Sequence, residues 1–198
     1  MKETEIKLRV ASVAAMQRRL RGLGFERITP RLFERNLLFD RMDQSLRKLG
    51  RVLRLRSKGG QWWLTWKAPV VPQGRHKVRE ELEVEVRPGE RMLEILGRLG
   101  FFPVFEYQKY RTEYRQSGGK GLVVLDETPI GDFLELEGAP KWIDETAAQL
   151  GFSRSDYVLE SYVALFIAQC GAQKRGQEQA GNMVFDNMKK KGLRRSGS

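Results

Sequence analysis

Glu3-Thr4-Glu5-Ile6-Lys7-Leu8-Arg9 sets charged side chains of both signs at every second position, with Thr4, Ile6 and Leu8 between them. Successive side chains on a strand point to opposite faces, so such a stretch has one charged face and one mostly apolar face. The pattern returns at Arg54-Leu55-Arg56, Lys77–Glu85, Lys109-Tyr110-Arg111-Thr112-Glu113 and Phe133-Leu134-Glu135-Leu136-Glu137, and in part at Leu122–Asp126. One strand of this kind is ordinarily a solvated surface. Repeated use of acids and bases together points to one shared polar surface, the inside of a barrel or a deep cleft. Such a surface can hold metal ions on its carboxylates and a polyanion on its Arg and Lys.

The elements between these strands complete an α+β order. Ser12 is placed to cap a helix over about Val13–Gly22. Leu37–Asp40 reads as a short strand. Arg51–Ser57 and Trp62–Lys67 read as strands joined by a Gly59-Gly60 turn. Pro88 opens a helix to about Leu99, ended by Gly100. Phe105–Arg115, Leu122–Glu127 and Leu134–Glu137 follow as strands. Lys141–Leu150 and Ser155–Cys170 are the last predicted helices. At least seven strands with a charged face fit a closed antiparallel barrel, which removes exposed edges and gives those faces a common interior.

The 198-residue chain has the length of one domain with a tail, and its 40% hydrophobic content supports a core. Residues 1–170 are expected to form the domain. Residues 171–198, rich in Gly, Gln, Lys and Arg, are expected to be a disordered basic tail with at most a short helix at 183–190. No apolar run long enough to span a membrane occurs, and the charged N-terminus gives no secretory signal. Cys170 is the only cysteine, which fits a reducing cytoplasm and excludes an internal disulfide. His76 is the only histidine and reads as a loop residue, which argues against zinc sites and His-based triads. A metal would sit on carboxylates, favouring Mg²⁺ or Mn²⁺. The net charge of +11 suits anionic partners. Seven of the 36 bases and two of the 25 acids lie from Ala172 onward, so the body of the chain is itself basic.

Glu3-Thr4-Glu5-Ile6-Lys7 resembles the Glu-x-Glu-x-Lys signature of the CYTH superfamily, the triphosphate tunnel enzymes. Five further segments match that family in order. They are Leu53–Arg56 (paired arginines), Leu64–Pro69 (the segment of an essential lysine, here Lys67), Arg79–Glu83 (Arg-x-Glu-x-Glu), Lys109–Arg111 (Lys-x-Arg), and Leu125-Asp126 with Gly131–Glu137 (the closing acidic hairpin). The resemblance covers Glu3 to about Phe166. It implies an eight-stranded antiparallel tunnel whose bases grip a triphosphate and whose acids bind Mg²⁺ or Mn²⁺. Arg54, Arg56, Lys109 and Arg111 are then the phosphate clamp, with Lys7, Lys67 and Arg79 added. Arg56 and Lys67 are the candidate catalytic bases. Glu3, Glu5, Glu135 and Glu137 are the candidate metal ligands, joined by Glu81, Glu83 and Asp126, some of which pair with tunnel bases instead. Arg9, Glu113 and Arg115 lie near strand ends and are left out.

Asn36–Asp40, Leu53–Arg56 and Ser161–Leu165 resemble the branch of class IV adenylyl cyclases, which convert ATP to cyclic AMP and pyrophosphate. The Gln-Gly-Tyr-Leu segment of the simplest inorganic triphosphatases is absent. So are a tyrosine at Leu38 and a tryptophan at Val52, which animal thiamine triphosphatases carry. The resemblance therefore implies an enzyme acting on a nucleoside triphosphate, with an inorganic or thiamine triphosphatase as the alternative and a non-catalytic polyphosphate binder third. Specific nucleic acid is not expected, because nucleic-acid faces are usually of one sign; a homodimer stays open. Trp62, Leu64 and Trp66 are expected outside the barrel, and Trp63, Thr65 and Lys67 inside.

Overall fold

Strand alternation decides the architecture. The computed structural model describes residues 2–172 and 181–186. Its elements are β1 (Lys2–Val10), α1 (Val13–Gly22), β2 (Phe25–Asp40), α2 (Ser45–Lys48), β3 (Val52–Lys58), β4 (Gln61–Lys67), β5 (Val71–Gln73), β6 (His76–Glu85), α3 (Gly89–Arg98), β7 (Phe102–Gln116), β8 (Leu122–Thr128), β9 (Gly131–Glu137), α4 (Pro140–Gln149), a 3₁₀ turn (Arg154–Asp156) and α5 (Tyr162–Ala172). All strand pairs are antiparallel, in the order β1-β9-β8-β7-β2-β3-β4-β6, and β6 pairs back to β1 through Glu3↔Arg79 and Glu5↔Lys77. Eight strands thus close a barrel, as the charged alternation implies. Short β5 pairs with the start of β6.

The apolar faces turn outward, and helices cover most of them; Leu82 and Val84 of β6 stay exposed. Ile6, Leu8, Leu134, Leu136, Val123 and Leu125 pack with Met16 and Leu20 of α1 and Ile143 and Ala147 of α4. A fully buried side chain of this size contributes roughly 1.5–3 kcal/mol relative to exposure. On the other flank Leu37, Phe39, Leu53, Leu55, Trp62 and Leu64 lie under Met92, Leu93 and Leu96 of α3. Trp62 and Leu64 are therefore outside, and Trp63 on the opposite face stands beside Arg56 in the barrel.

Gly89, the first residue of α3, lies against Trp62. A Cβ at Gly89 would fall 2.1 Å from the indole ring. Gly89→Ala is expected to destabilise the fold by about 1–3 kcal/mol through overpacking, read as a lower urea midpoint. An unchanged midpoint would mean that α3 shifts freely on the barrel.

Three expectations change. β2 runs for sixteen residues, not the four of Leu37–Asp40. Its first half contains Pro30, which cannot donate to a ladder, and the pairing with β7 shifts register between Arg27 and Thr29 and again before Leu32. The stretch Ser155–Cys170 is only partly helical. Lys7 lies beyond the part of β1 that β6 covers, residues 2–5. Val158 supplies the missing partner, exchanging backbone hydrogen bonds with Lys7 at 3.0 and 2.8 Å. The backbone therefore stays extended after the 3₁₀ turn, and α5 begins at Tyr162. His76 is not an exposed loop residue: it opens β6, is buried, and meets Asp144 of α4 at 3.0 Å.

Within the expected tail, residues 181–186 lie on β7. Met183 is fully buried and exchanges backbone hydrogen bonds with Glu106 and Gln108, and the Phe185 ring stands 5.3 Å from Tyr110. Those six residues correct the disordered reading: β8 pairs with β7 only from Tyr110 onward, so the backbone of Glu106 and Gln108 has a free edge that Met183 takes up. Residues 173–180 and 187–198 of the expected tail lie outside the described residues.

Candidate active site

The inner face is built by parity. Glu3, Glu5 and Lys7 of β1, Arg54, Arg56 and Lys58 of β3, Glu81 and Glu83 of β6, Lys109 and Arg111 of β7, Asp126 of β8, and Glu135 and Glu137 of β9 all occupy the face opposite the helix-covered cores. The structure brings the predicted clamp residues together and gives each a protein partner. Lys7 donates to Glu5 at 3.2 Å and lies 3.4 Å from Glu135. Lys109 donates to Asp126 at 2.8 Å. Arg111 grips Asp126 with two nitrogens at 2.8 and 2.7 Å and also donates to Glu135. Arg54 donates to Thr65, Glu83 and the Tyr107 hydroxyl at 3.2–3.4 Å. Arg56 donates to Glu83 at 2.8 Å and stacks over Trp63. Lys67 donates to Glu81.

Arg79 differs from the rest. Its Nε and Nη2 donate to the backbone carbonyls of Ala68 and Gly50, so in this state it ties the end of β4 to the start of β3.

The acids divide into two groups. Glu81, Glu83, Asp126 and Glu135 each accept from tunnel bases. Burial pushes the Glu135 carboxyl up, but Lys7 and Arg111 outweigh it and hold it well below the usual range. Glu3, Glu5 and Glu137 converge, Glu5 while also accepting from Lys7 and Lys77: each offers one carboxylate oxygen, and these lie within 4.8 Å of one another. Burial, Glu135 and Glu5 raise the Glu137 carboxyl to about 7, and burial with the neighbouring Glu81 and Glu137 raises Glu3 to about 9. Glu5 stays ionised, at about 2, because Lys7 and Lys77 outweigh its burial. Three hard oxygen donors that repel one another fit Mg²⁺ or Mn²⁺.

A testable consequence concerns Glu137. Its carboxyl, at about 7 in the fold and near 4.5 when exposed, favours folding when protonated; that contribution is full below about pH 4.5 and lost as pH rises through 7. Glu137→Gln is expected to melt higher than the parent at pH 8 without metal. Added Mg²⁺ should raise the melting point of the parent and not that of the variant. Equal Mg²⁺ shifts in both would remove Glu137 from the metal set.

Several site residues escape the sequence reading. Lys77, a donor to Glu5, and Lys58, which donates to Glu113 at 2.7 Å, stand on the faces that parity assigns. Tyr162, at the start of α5, inserts into one end of the tunnel. Its hydroxyl donates to Asp126 at 2.9 Å, and its ring stands 5.4 Å from the Lys7 ammonium and 5.3 Å from that of Lys109. It packs there with Phe133, Tyr107 and Met183. Glu34 and Asn36 of β2 complete the inner wall and are wholly buried.

Residues 1–162 match the CYTH domain. A Methanocaldococcus jannaschii protein provisionally named an adenylate cyclase is 29% identical over 174 residues, which span 83% of this chain and 98% of that protein. A solved Vibrio parahaemolyticus structure, also provisionally named an adenylate cyclase, superposes with a TM-score of 0.72 at 19% identity, covering 82% of this chain and 96% of that one. The Hippeastrum protein HpAC1, named an adenylyl cyclase and described as having a dominant triphosphatase activity, superposes with a TM-score of 0.65 at 23% identity, covering 84% and 96%. At these identities the two structures speak for the fold alone. Among the described residues no helix is long and apolar enough to cross a membrane.

Proposed function

The chain belongs to the CYTH family, and from that premise we infer that it is a metal-dependent enzyme of triphosphate substrates, acting as a class IV-type adenylyl cyclase that converts ATP to cyclic AMP and pyrophosphate. The observation that carries this reading is the tunnel itself. Lys7, Arg54, Lys109 and Arg111, all buried, and the partly buried Arg56 share the inner face with the partly buried Glu3, Glu5 and Glu137 trio. A triphosphate needs guanidinium forks and ammonium charges, and desolvated bases act on it far more strongly than solvated ones.

In this reading Lys7, Arg54, Arg56, Lys109 and Arg111 hold the β- and γ-phosphates as the leaving group. Glu3, Glu5 and Glu137 would hold the divalent cation, which when bound neutralises phosphate charge and acidifies a hydroxyl. The ribose 3′-hydroxyl attacks the α-phosphorus in line, and the bond to the β-phosphate oxygen breaks. The bases contribute by positioning and by stabilising the charge that develops on pyrophosphate. Burial and the nearby Arg54 hold the Lys67 ammonium below its ordinary value, which suits it to proton transfer. Full turnover by Lys67→Ala at saturating ATP would end that assignment. No histidine lies on the inner face, so no histidine base is proposed.

Hydrolysis of the terminal phosphoanhydride is the second reading. Every base named above addresses phosphate, so the same clamp presents a γ-phosphorus to water as readily as an α-phosphorus to a hydroxyl. The described activity of HpAC1 is an instance of that chemistry on this fold. The test is incubation with ATP, inorganic triphosphate and thiamine triphosphate, each with Mg²⁺ or Mn²⁺, with the products separated. Cyclic AMP with pyrophosphate supports cyclisation. Orthophosphate, fastest from inorganic triphosphate, supports hydrolysis. No turnover of any substrate leaves a triphosphate-binding protein. A homodimer and a cytoplasmic location remain part of the proposal.

A further inference from the structure

Two buried side chains on the tunnel wall lack the partners that their chemistry requires. Asn36 has no solvent exposure, and neither its Oδ1 nor its Nδ2 has a hydrogen-bond partner. Glu34, two residues earlier on the same face of β2, is also wholly buried, and neither carboxylate oxygen accepts a hydrogen bond. Its nearest cations stop short: Lys109 at 3.7 Å, Lys58 at 3.8 Å and Arg56 at 3.9 Å. Those charges outweigh burial and keep Glu34 ionised. Buried polar groups are nearly always satisfied, and an unsatisfied one costs about 1–3 kcal/mol. Two adjacent residues in that state, facing a channel meant for a ligand, mark a place where the ligand supplies the missing bonds.

Phosphate matches the pair poorly, since only Asn36 Nδ2 could donate to it. A carboxylate and an amide oxygen are acceptors, and both would repel a phosphate oxygen. What they lack is an O–H donor. Asn36 Nδ2 adds an amino group with two N–H donors, so together the pair offers three acceptor oxygens and one donor nitrogen, a match for a vicinal diol whose hydroxyls both donate and accept. A carboxylate accepting from ribose hydroxyls is a recurrent device of nucleotide-binding folds. The position suits this, because Asn36 pairs across the ladder with Arg56 of the phosphate clamp and with Tyr107, whose hydroxyl contacts Arg54. A diol held here would be next to bound phosphates.

We propose that Asn36 and Glu34 form a ribose-diol subsite that makes this tunnel select a nucleoside triphosphate over a bare triphosphate. The subsite rests on the triphosphate-enzyme reading above and names the substrate class of that same site.

The experiment titrates the metal-free protein, in which no turnover occurs, with ATP, 2′,3′-dideoxy-ATP and inorganic triphosphate. The parent is expected to bind ATP at least tenfold more tightly than the dideoxy compound. Asn36→Leu is expected to weaken ATP at least tenfold and to leave the other two ligands within twofold. Its melting point should not fall, because an apolar side chain of similar size replaces an amide that has no partner. If that variant does not fold, Asn36→Ala is read in the same way. Glu34→Gln should bind inorganic triphosphate more tightly, since an anion has left the clamp, and should still lose the preference for ATP over its dideoxy form. Equal binding of ATP and dideoxy-ATP by the parent overturns the subsite, as does a loss in Asn36→Leu that is equal for all three ligands. Failure of the parent to bind any of the three, both without metal and with added Mg²⁺, would instead overturn the triphosphate reading itself.

Discussion

Asp126→Ala is expected to lower the melting temperature by about 10 °C or more. Asp126 has no solvent exposure and accepts four hydrogen bonds: one from Lys109, two from Arg111 and one from the Tyr162 hydroxyl, all at 2.7–2.9 Å. Removing it leaves an ammonium and a guanidinium in the barrel with their main counter-charge gone. Breaking a buried ion pair from one side costs about 3–5 kcal/mol, and for a domain of this size each kcal/mol moves the midpoint by roughly 2–4 °C. The loss should exceed that of Asp126→Asn, which keeps one acceptor oxygen. Calorimetric scans of the three proteins at neutral pH decide the matter. A midpoint within about 2 °C of the parent would show that Glu34 and Glu135, also near Lys109 or Arg111, take over neutralisation.

Much of this barrel is legible because its strands alternate without interruption. In β1, β3, β6, β7 and β9 the charged parity names the inner face; the helix-covered cores confirm it for β1, β3 and β9, and on β6 the strand register does so, with Leu82 and Val84 outward and exposed. The same parity places Lys58 and Lys77 inside, although neither belongs to a family motif. β2 is different. Phe33-Glu34-Arg35-Asn36 puts polar groups on both faces, because Arg35 points outward to a bidentate pair with Glu106 at 3.0 and 2.8 Å. That outer ion pair hides the alternation which would have marked Glu34 and Asn36. Tyr162 is hidden for another reason: its place in the tunnel depends on Val158 completing the ladder at Lys7, a contact between the two ends of the chain. The division of the acids is not local either. Glu135 and Glu137 sit two residues apart on one strand, yet Lys7 and Arg111 hold the first, while the second meets Glu3 and Glu5.

The resting tunnel satisfies its bases with its own acids, and this shapes how a ligand enters. A triphosphate arriving alone would displace Glu83, Asp126 and Glu135 from their bases and leave buried carboxylates unpaired. A triphosphate arriving with a divalent cation brings both signs of charge, so the bases turn to phosphate while acids gain a positive partner. Binding of substrate and metal is therefore expected to be mutually reinforcing, each raising the affinity of the other by the same factor.

Arg56→Ala should separate folding from function most clearly. Arg56 makes one hydrogen-bonded ion pair, to Glu83, and its Nε has no partner although buried. Burial and the adjacent Arg54 both disfavour its charge. In the resting protein it adds little attraction and some repulsion, so its removal is expected to leave the melting point unchanged or higher. With substrate bound the balance reverses, because a charge-assisted contact to phosphate contributes about 1.5–3 kcal/mol, or roughly 10- to 150-fold in kcat/KM. The expected result is a variant at least as stable as the parent whose activity on its best triphosphate substrate falls by well over tenfold. Residues placed to receive an anionic ligand are under strain without it, and relief of that strain is a signature of a binding site. A variant that loses stability and activity together would make Arg56 a structural ion-pair partner of Glu83. Near-normal activity would take it out of the phosphate clamp.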